Sequence, residues 1–314
     1  MKRYVLKFLL AAAVIGVVNL SAVLIRLAIW QKEVDRVFDV PEDVRVVGIG
    51  NSHIGFALSE ESEFHAKTFW DTGMSFPMHY ARFRELERRG VFERVKVCIF
   101  DCDTPALDFF YTDKLWQNTQ WSLPFAWRYL DSVPLPRWQL VCDLLFDLHL
   151  KSRFEIAVTR PPDPPNWTTW TPERKVACFK SLYGPNWRTP LDWDSDIYPP
   201  CWRERFLDLV KDVKARCEQH GVRLVFVATP LASDDPGRTN PLVWNRISEI
   251  AEQIRGLGCE YYDTRADYAD DKFCDAGHVL STTAADWTRK LYRKIFSTSS
   301  QNFPVKAAEG PCIR

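Results

Sequence analysis

Three short runs constrain this chain most: VRVVGIG (44–50), RVKVCIF (94–100) and VRLVFVATP (222–230). Each is nearly continuous in apolar, largely β-branched residues and ends at a turn-forming or acidic residue. A strand with one wet face alternates apolar and polar side chains, so runs without alternation read as strands buried on both faces. AKTFWDTG (66–73) and CEYYDT (259–264) read as two weaker strands. Between them lie helical patterns. SFPMHYARFRELERRG carries Tyr80, Phe83 and Leu86 at helical spacing before Gly90, and CWRERFLDLVKDVKARCEQHG (201–221) aligns Phe206, Leu209, Val210 and Val213 before Gly221. NPLVWNRISEIAEQIRGLG (240–258) and TTAADWTRKLYRKIF (282–296) read the same way. Strands alternating with helices predict an α/β protein of three layers, α/β/α, around a parallel sheet.

The first 30 residues are of another kind. Lys2, Arg3 and Lys7 precede an apolar run from Phe8 to Ile25 whose only polar interruptions are Asn19 and Ser21. With its flanks it is long enough for a bilayer core of ~30 Å, so residues 1–30 read as a transmembrane anchor. The basic flank stays in the cytoplasm, which puts the chain beyond the anchor outside it and the anchor in the inner (cytoplasmic) membrane. A cleaved signal peptide is the competing reading, but no clear A-x-A site is present after the run. Residues 31–43 read as a charged connector, 44–297 as the α/β domain and 298–314 as a loose tail.

The regular pattern breaks at about 105–200, where Pro, Trp and Asp crowd together, as in PPDPPNWTTWTP and GPNWRTPLDW. A structureless loop of that length is improbable, so this region reads as a cap inserted into the domain, with helical pieces such as RWQLVCDLLFDLHL. Its tryptophans would staple the cap to the sheet, or else stack on sugar rings. With 41 basic and 41 acidic side chains, no net field recruits nucleic acid. The nine cysteines form no C-x-x-C pair, which removes the usual zinc-ribbon and thioredoxin signatures and leaves any disulfide pairing open.

In a parallel sheet, ligands gather beyond the carboxyl ends of the strands. Ser52 stands at the first such end, in GNSHIG. A serine hydroxyl needs a base to take its proton, and the base needs a third group to orient it. Of the six histidines, His278 has the best context, three residues after Asp275 in a loop before the last helix. His220 reads as the cationic end of its helix, His79 as a helix residue, and His53, next to Ser52, as a residue that shapes the pocket or else points elsewhere. Each element also has a plain structural role open to it. Ser52 is suited to cap a helix, and Asp275 with His278 to form a surface pair. Asp101-Cys102-Asp103 matches a D-x-D metal motif, although acids at strand ends are common.

The window Gly50-Asn51-Ser52-His53-Ile54 lacks the G-x-S-x-G elbow of lipases. A serine after the first strand with D-x-x-H near the end resembles instead the SGNH (GDSL-like) hydrolase superfamily. Gly50-Asn51-Ser52-His53 stands for its first block, Gly73 in WDTGMSF for the second, and Asp275-Ala276-Gly277-His278 for the last. The resemblance implies an SGNH/flavodoxin-like sheet. It also implies Ser52 as nucleophile, His278 as base, Asp275 as its orienting acid, and the N–H groups of Ser52 and Gly73 as oxyanion donors. The G-x-N-D block is missing: CIFDCDTPALDF stands in its place, so the oxyanion would need Thr104 or a backbone amide as a further donor.

A membrane-anchored chain of this pattern looks closest to divergent SGNH proteins of the cell envelope. That implies an O-acyltransferase or O-acylesterase working on an envelope glycan or other polymer, without metal or organic cofactor. It also implies an envelope protein complex as the setting and no nucleic-acid partner. The alternative is an SGNH-like scaffold whose site is catalytically incomplete.

Overall fold

The computed structural model describes residues 2–71, 76–102, 166–183 and 200–297. Of these, residues 2–39 form one unit and the remainder a second.

The described part of the first unit is one helix, α1 (Lys2–Val37). It continues through residues expected as a connector, because Gln31, Lys32 and Glu33 are good helix formers and no proline comes before Pro41. Gln31 Nε2 donates to Asp35 Oδ1 at 2.9 Å, one turn apart. Among the described residues no helix is long and apolar enough to cross a membrane. Several side chains inside the apolar run, including those of Phe8, Ala12 and Ile15, lie outside the described ones.

The second unit is built on five parallel strands: β1 (Val46–Asn51), β2 (Ala66–Asp71), β3 (Val97–Asp101), β4 (Arg223–Ala228) and β5 (Glu260–Asp263). Their spatial order is β2-β1-β3-β4-β5, the flavodoxin-like order, whose direction of winding reverses between β1 and β3. A six-residue helix, α2 (Ser52–Ala57), comes directly after β1, where the sequence placed a serine suited to cap a helix. The other described helices are α3 (Phe76–Arg88), α4 (Pro172–Tyr183), α5 (Pro200–His220), α6 (Pro236–Thr239), α7 (Pro241–Gly256) and α8 (Ser281–Phe296). The expected 240–258 helix is thus α7, started by Asn240, whose Oδ1 accepts from Leu242 N at 3.0 Å. Gly90 and Gly221, with φ of +70° and +65°, come after α3 and α5 in the left-handed conformation that stops a helix.

Alternation along the strands sorts the core onto two faces. Val97, Ile99, Val225 and Val227 pack with Ile54 of α2 and with Trp287 and Leu291 of α8. Phe100 and Phe226 point the other way. Their rings lie 5.6 and 6.3 Å from Phe76 of α3, which also meets Phe206 of α5 at 4.7 Å.

Two glycines let the layers close. A Cβ on Gly50 would stand 2.4 Å from Asp101 Cβ, and one on Gly55 would stand 2.2 Å from the Trp70 ring. The first brings β1 against the buried end of β3, and the second lays α2 on β2. Gly48, Gly50 and Gly55 all have negative or extended φ, so space rather than backbone freedom selects glycine here.

Candidate active site

Asn51 ends β1 and caps α2: its Oδ1 accepts from His53 N at 2.7 Å. Ser52 is therefore the first residue inside the helix, and its hydroxyl is not spent on capping. Ser52 Oγ instead lies 2.8 Å from His278 Nε2, a contact between residues 226 positions apart.

His278 sits on a tightly held loop. Phe273 and Val279 form an antiparallel bridge, and Cys274 N donates to His278 O at 2.8 Å. Ala232 N donates to Ala276 O, and Trp167 N to Phe273 O, both at 2.8 Å. Within the loop Asp275 Oδ1 accepts from the N–H groups of Gly277 (3.0 Å) and His278 (2.9 Å), while its carboxylate lies 2.7 and 2.8 Å from His278 Nδ1.

Burial pushes the Asp275 carboxyl up. The charge and hydrogen bond of His278, the Gly277 N–H and the charge of His53 outweigh it and hold the group below the ordinary aspartate value. An ionised carboxylate only accepts, so Nδ1 carries a proton in this arrangement, and in the neutral ring Nε2 faces Ser52 as the acceptor. Phe56 of α2 covers the imidazole, with ring centres 4.5 Å apart.

The turn Trp167–Thr169 and helix α4, from the stretch expected as a cap, pack into the same core. Trp167 is fully buried, donates Nε1 to Asp234 Oδ1 at 2.9 Å and lies 5.7 Å from the Phe179 ring. For this tryptophan stapling is what the structure shows. Cys178 of α4 lies within the field of Asp275. Burial first, then that negative charge, push its thiol up to about 11, so it stays protonated at neutral pH and does not compete as a nucleophile.

Of the two places open to His53, beside the pocket or turned elsewhere, it takes the first. Its ring stands edge-on to His278, with centres 5.2 Å apart at 76°. Ser52 and His53 are neighbours at the first turn of α2, and the 275–278 loop is broad enough to meet both. Sequence spacing carried no sign of this contact, nor of those made by Phe56 and Trp167.

The other described histidines, 65, 79 and 220, have other surroundings. His65 lies beside Asp43 at 3.3 Å, His79 is buried on α3, and His220 ends α5 with Nε2 3.4 Å from Glu87. Cys98, Cys102, Cys178, Cys217, Cys259 and Cys274 are thiols. Gly73, Asp103, Thr104, His149, Cys142, the 137–150 segment and the 298–314 tail lie outside the described residues, as does the Cys201 side chain. Among the described residues no cluster of three or more His, Cys, Asp and Glu side chains is placed to hold a metal.

No family model matches the chain, and no curated protein matches it. Solved structures that resemble it include the following two. One is a candidate acylhydrolase from Bacteroides fragilis, 10% identical, with 84% of this chain and 94% of that one covered at a TM-score of 0.41. The other is a GDSL-like lipase from Bacteroides thetaiotaomicron, 8% identical, with 86% and 97% covered, also at 0.41. Likeness at this level carries no argument about this chain, and what the site can do rests on its own distances.

Those distances describe a relay. A proton on Ser52 Oγ has an acceptor at hydrogen-bond range, and that acceptor is held at its far nitrogen by a carboxylate. The group lies at the carboxyl end of β1, beside the reversal of winding between β1 and β3, where ligands bind in open α/β sheets.

Proposed function

We propose that this protein is an SGNH-like serine acyl-transferring enzyme, an O-acylesterase or O-acyltransferase that works through an acyl-serine. The observation that carries this reading is the continuous chain Ser52 Oγ to His278 Nε2 (2.8 Å) and His278 Nδ1 to Asp275 (2.7 Å). As Oγ attacks an ester carbonyl carbon, its proton passes to Nε2 and the carbonyl oxygen becomes the oxyanion. Collapse breaks the bond to the leaving alcohol, which takes the proton back from His278. Water or a sugar hydroxyl then repeats the steps in reverse sense on the acyl-serine. Asp275 holds the ring in the required tautomer and offsets the imidazolium charge. The Ser52 N–H, with that of Gly73, is assigned to the oxyanion.

In this proposal the substrate is an acylated glycan or other polymer of the cell envelope, and no nucleic acid takes part. The protein is held in the inner membrane by residues 1–30 with its α/β domain outside the cytoplasm, alone or within an envelope protein complex. Support for the anchor is the 36-residue length of α1 and the apolar sequence from Phe8 to Ile25 behind Lys2, Arg3 and Lys7.

One observation favours the scaffold alternative: Ser52 is only 9% exposed. A fluorophosphonate serine probe, applied to the full chain in detergent, separates the two. The enzyme reading expects labelling of the wild type, with a loss on the order of 10⁴-fold or more in folded Ser52→Ala and His278→Ala variants. A folded wild type that does not label would sink it.

A further inference from the structure

His53 has no part in the relay from Ser52 to Asp275, yet it is buried against it. Its backbone N–H is tied to Asn51 and its ring stands edge-on to His278. The deciding observation lies across the gap, at Gly277. A Cβ built there would stand 2.4 Å from His53 Nε2 and 3.1 Å from both neighbouring ring carbons. Gly277 has no positive φ, so the missing side chain is a matter of space: the imidazole occupies it.

We propose that His53 is a positioning residue of this site: its imidazole fills the place of a side chain at residue 277 and so fixes the 275–278 loop against α2, with His278 at Ser52. The consequence for acyl transfer rests on the acyl-serine reading; the fit between His53 and Gly277 does not. His53 is 8% exposed and bounded by His278, so a methyl group at 277 has to displace either the ring or the loop. If the ring sets the loop, the loop yields and His278 leaves Ser52.

The test uses the full chain in detergent micelles, with nitrogen-15 in histidine and two readouts. One is the rate of labelling by the serine probe. The other is the low-field proton resonance of the His278 Nδ1–H bonded to Asp275, which requires no reaction.

Gly277→Ala is expected to label ~10²-fold more slowly, the cost of an ångström-scale misplacement, and to shift or lose that resonance. His53→Ala removes the wall and loosens the loop. In the His53→Ala/Gly277→Ala chain the new methyl has room, so it is expected to label ~10-fold faster than Gly277→Ala alone and to match His53→Ala in both readouts. Losses that simply add in the double variant, or a Gly277→Ala chain indistinguishable from wild type in both readouts, would overturn the proposal.

Should Gly277→Ala not fold, His53→Gln against His53→Ala decides. Glutamine keeps reach and a polar end and is expected to retain the resonance that alanine loses; equal behaviour of the two would overturn the proposal. A wild type that shows the resonance without labelling would refute the acyl-serine reading and leave the positioning of the loop to be judged by the resonance alone.

Discussion

Capping at the start of α2 falls to Asn51, and this leaves the Ser52 hydroxyl to His278. Asn51→Ala is expected to cost ~1 kcal/mol of stability and to slow probe labelling, because the serine would then turn back to the orphaned N–H groups. Urea unfolding and labelling rates check the two parts. Asp275→Asn leaves the loop its shape but presents the wrong ring tautomer, so a fall on the order of 10⁴-fold in labelling rate is expected. The same carboxylate gives a stability signature. Its folded value is depressed below the ordinary 3.8, so its contribution is complete above 3.8 and is lost as pH falls through the folded value. Unfolding monitored from neutral pH downward should show that part of the acid limb missing in Asp275→Asn. At Cys178, alkylation read by mass spectrometry should be slow at neutral pH and accelerate toward a midpoint of about 11.

Elements meet here through a few close approaches. α2 lies on β2 because Gly55 leaves room for the Trp70 ring. Gly55→Ala is expected to cost ~1–3 kcal/mol through overpacking, measured by urea unfolding. The turn at Trp167 ties α4 to the loop that carries Asp275 and His278 through Phe273 O, and to the segment after β4 through Asp234. Removing that buried ring in Trp167→Ala should cost ~3–5 kcal/mol in the same measurement. The strands and most of the longer helices were legible in sequence, since they rest on local apolar runs or helical spacing, several with a glycine or proline stop. α2 showed only through its capping residues, because six residues make less than two turns and show no period. The extra turns of α1 were missed because a charged stretch with no proline before Pro41 suits both a connector and a helix.

For the whole molecule, the second unit has its own core on both faces of the sheet. If residues 1–30 anchor the protein, the full chain should need detergent for release from membranes, and a chain starting at residue 40 should not. Fractionation and then probe labelling of both forms checks this. Local sequence was enough for the α/β alternation, the parallel sheet, and Ser52, Asp275 and His278 as the residues to inspect. These are consequences of composition over short stretches: β-branched runs, helical spacing, and chemically distinctive side chains at strand ends. That Ser52 and His278 meet at 2.8 Å, and that His53 turns toward Gly277, emerged with the folded chain. Such contacts depend on packing between segments more than 220 residues apart, where each side chain takes the space that its neighbours leave.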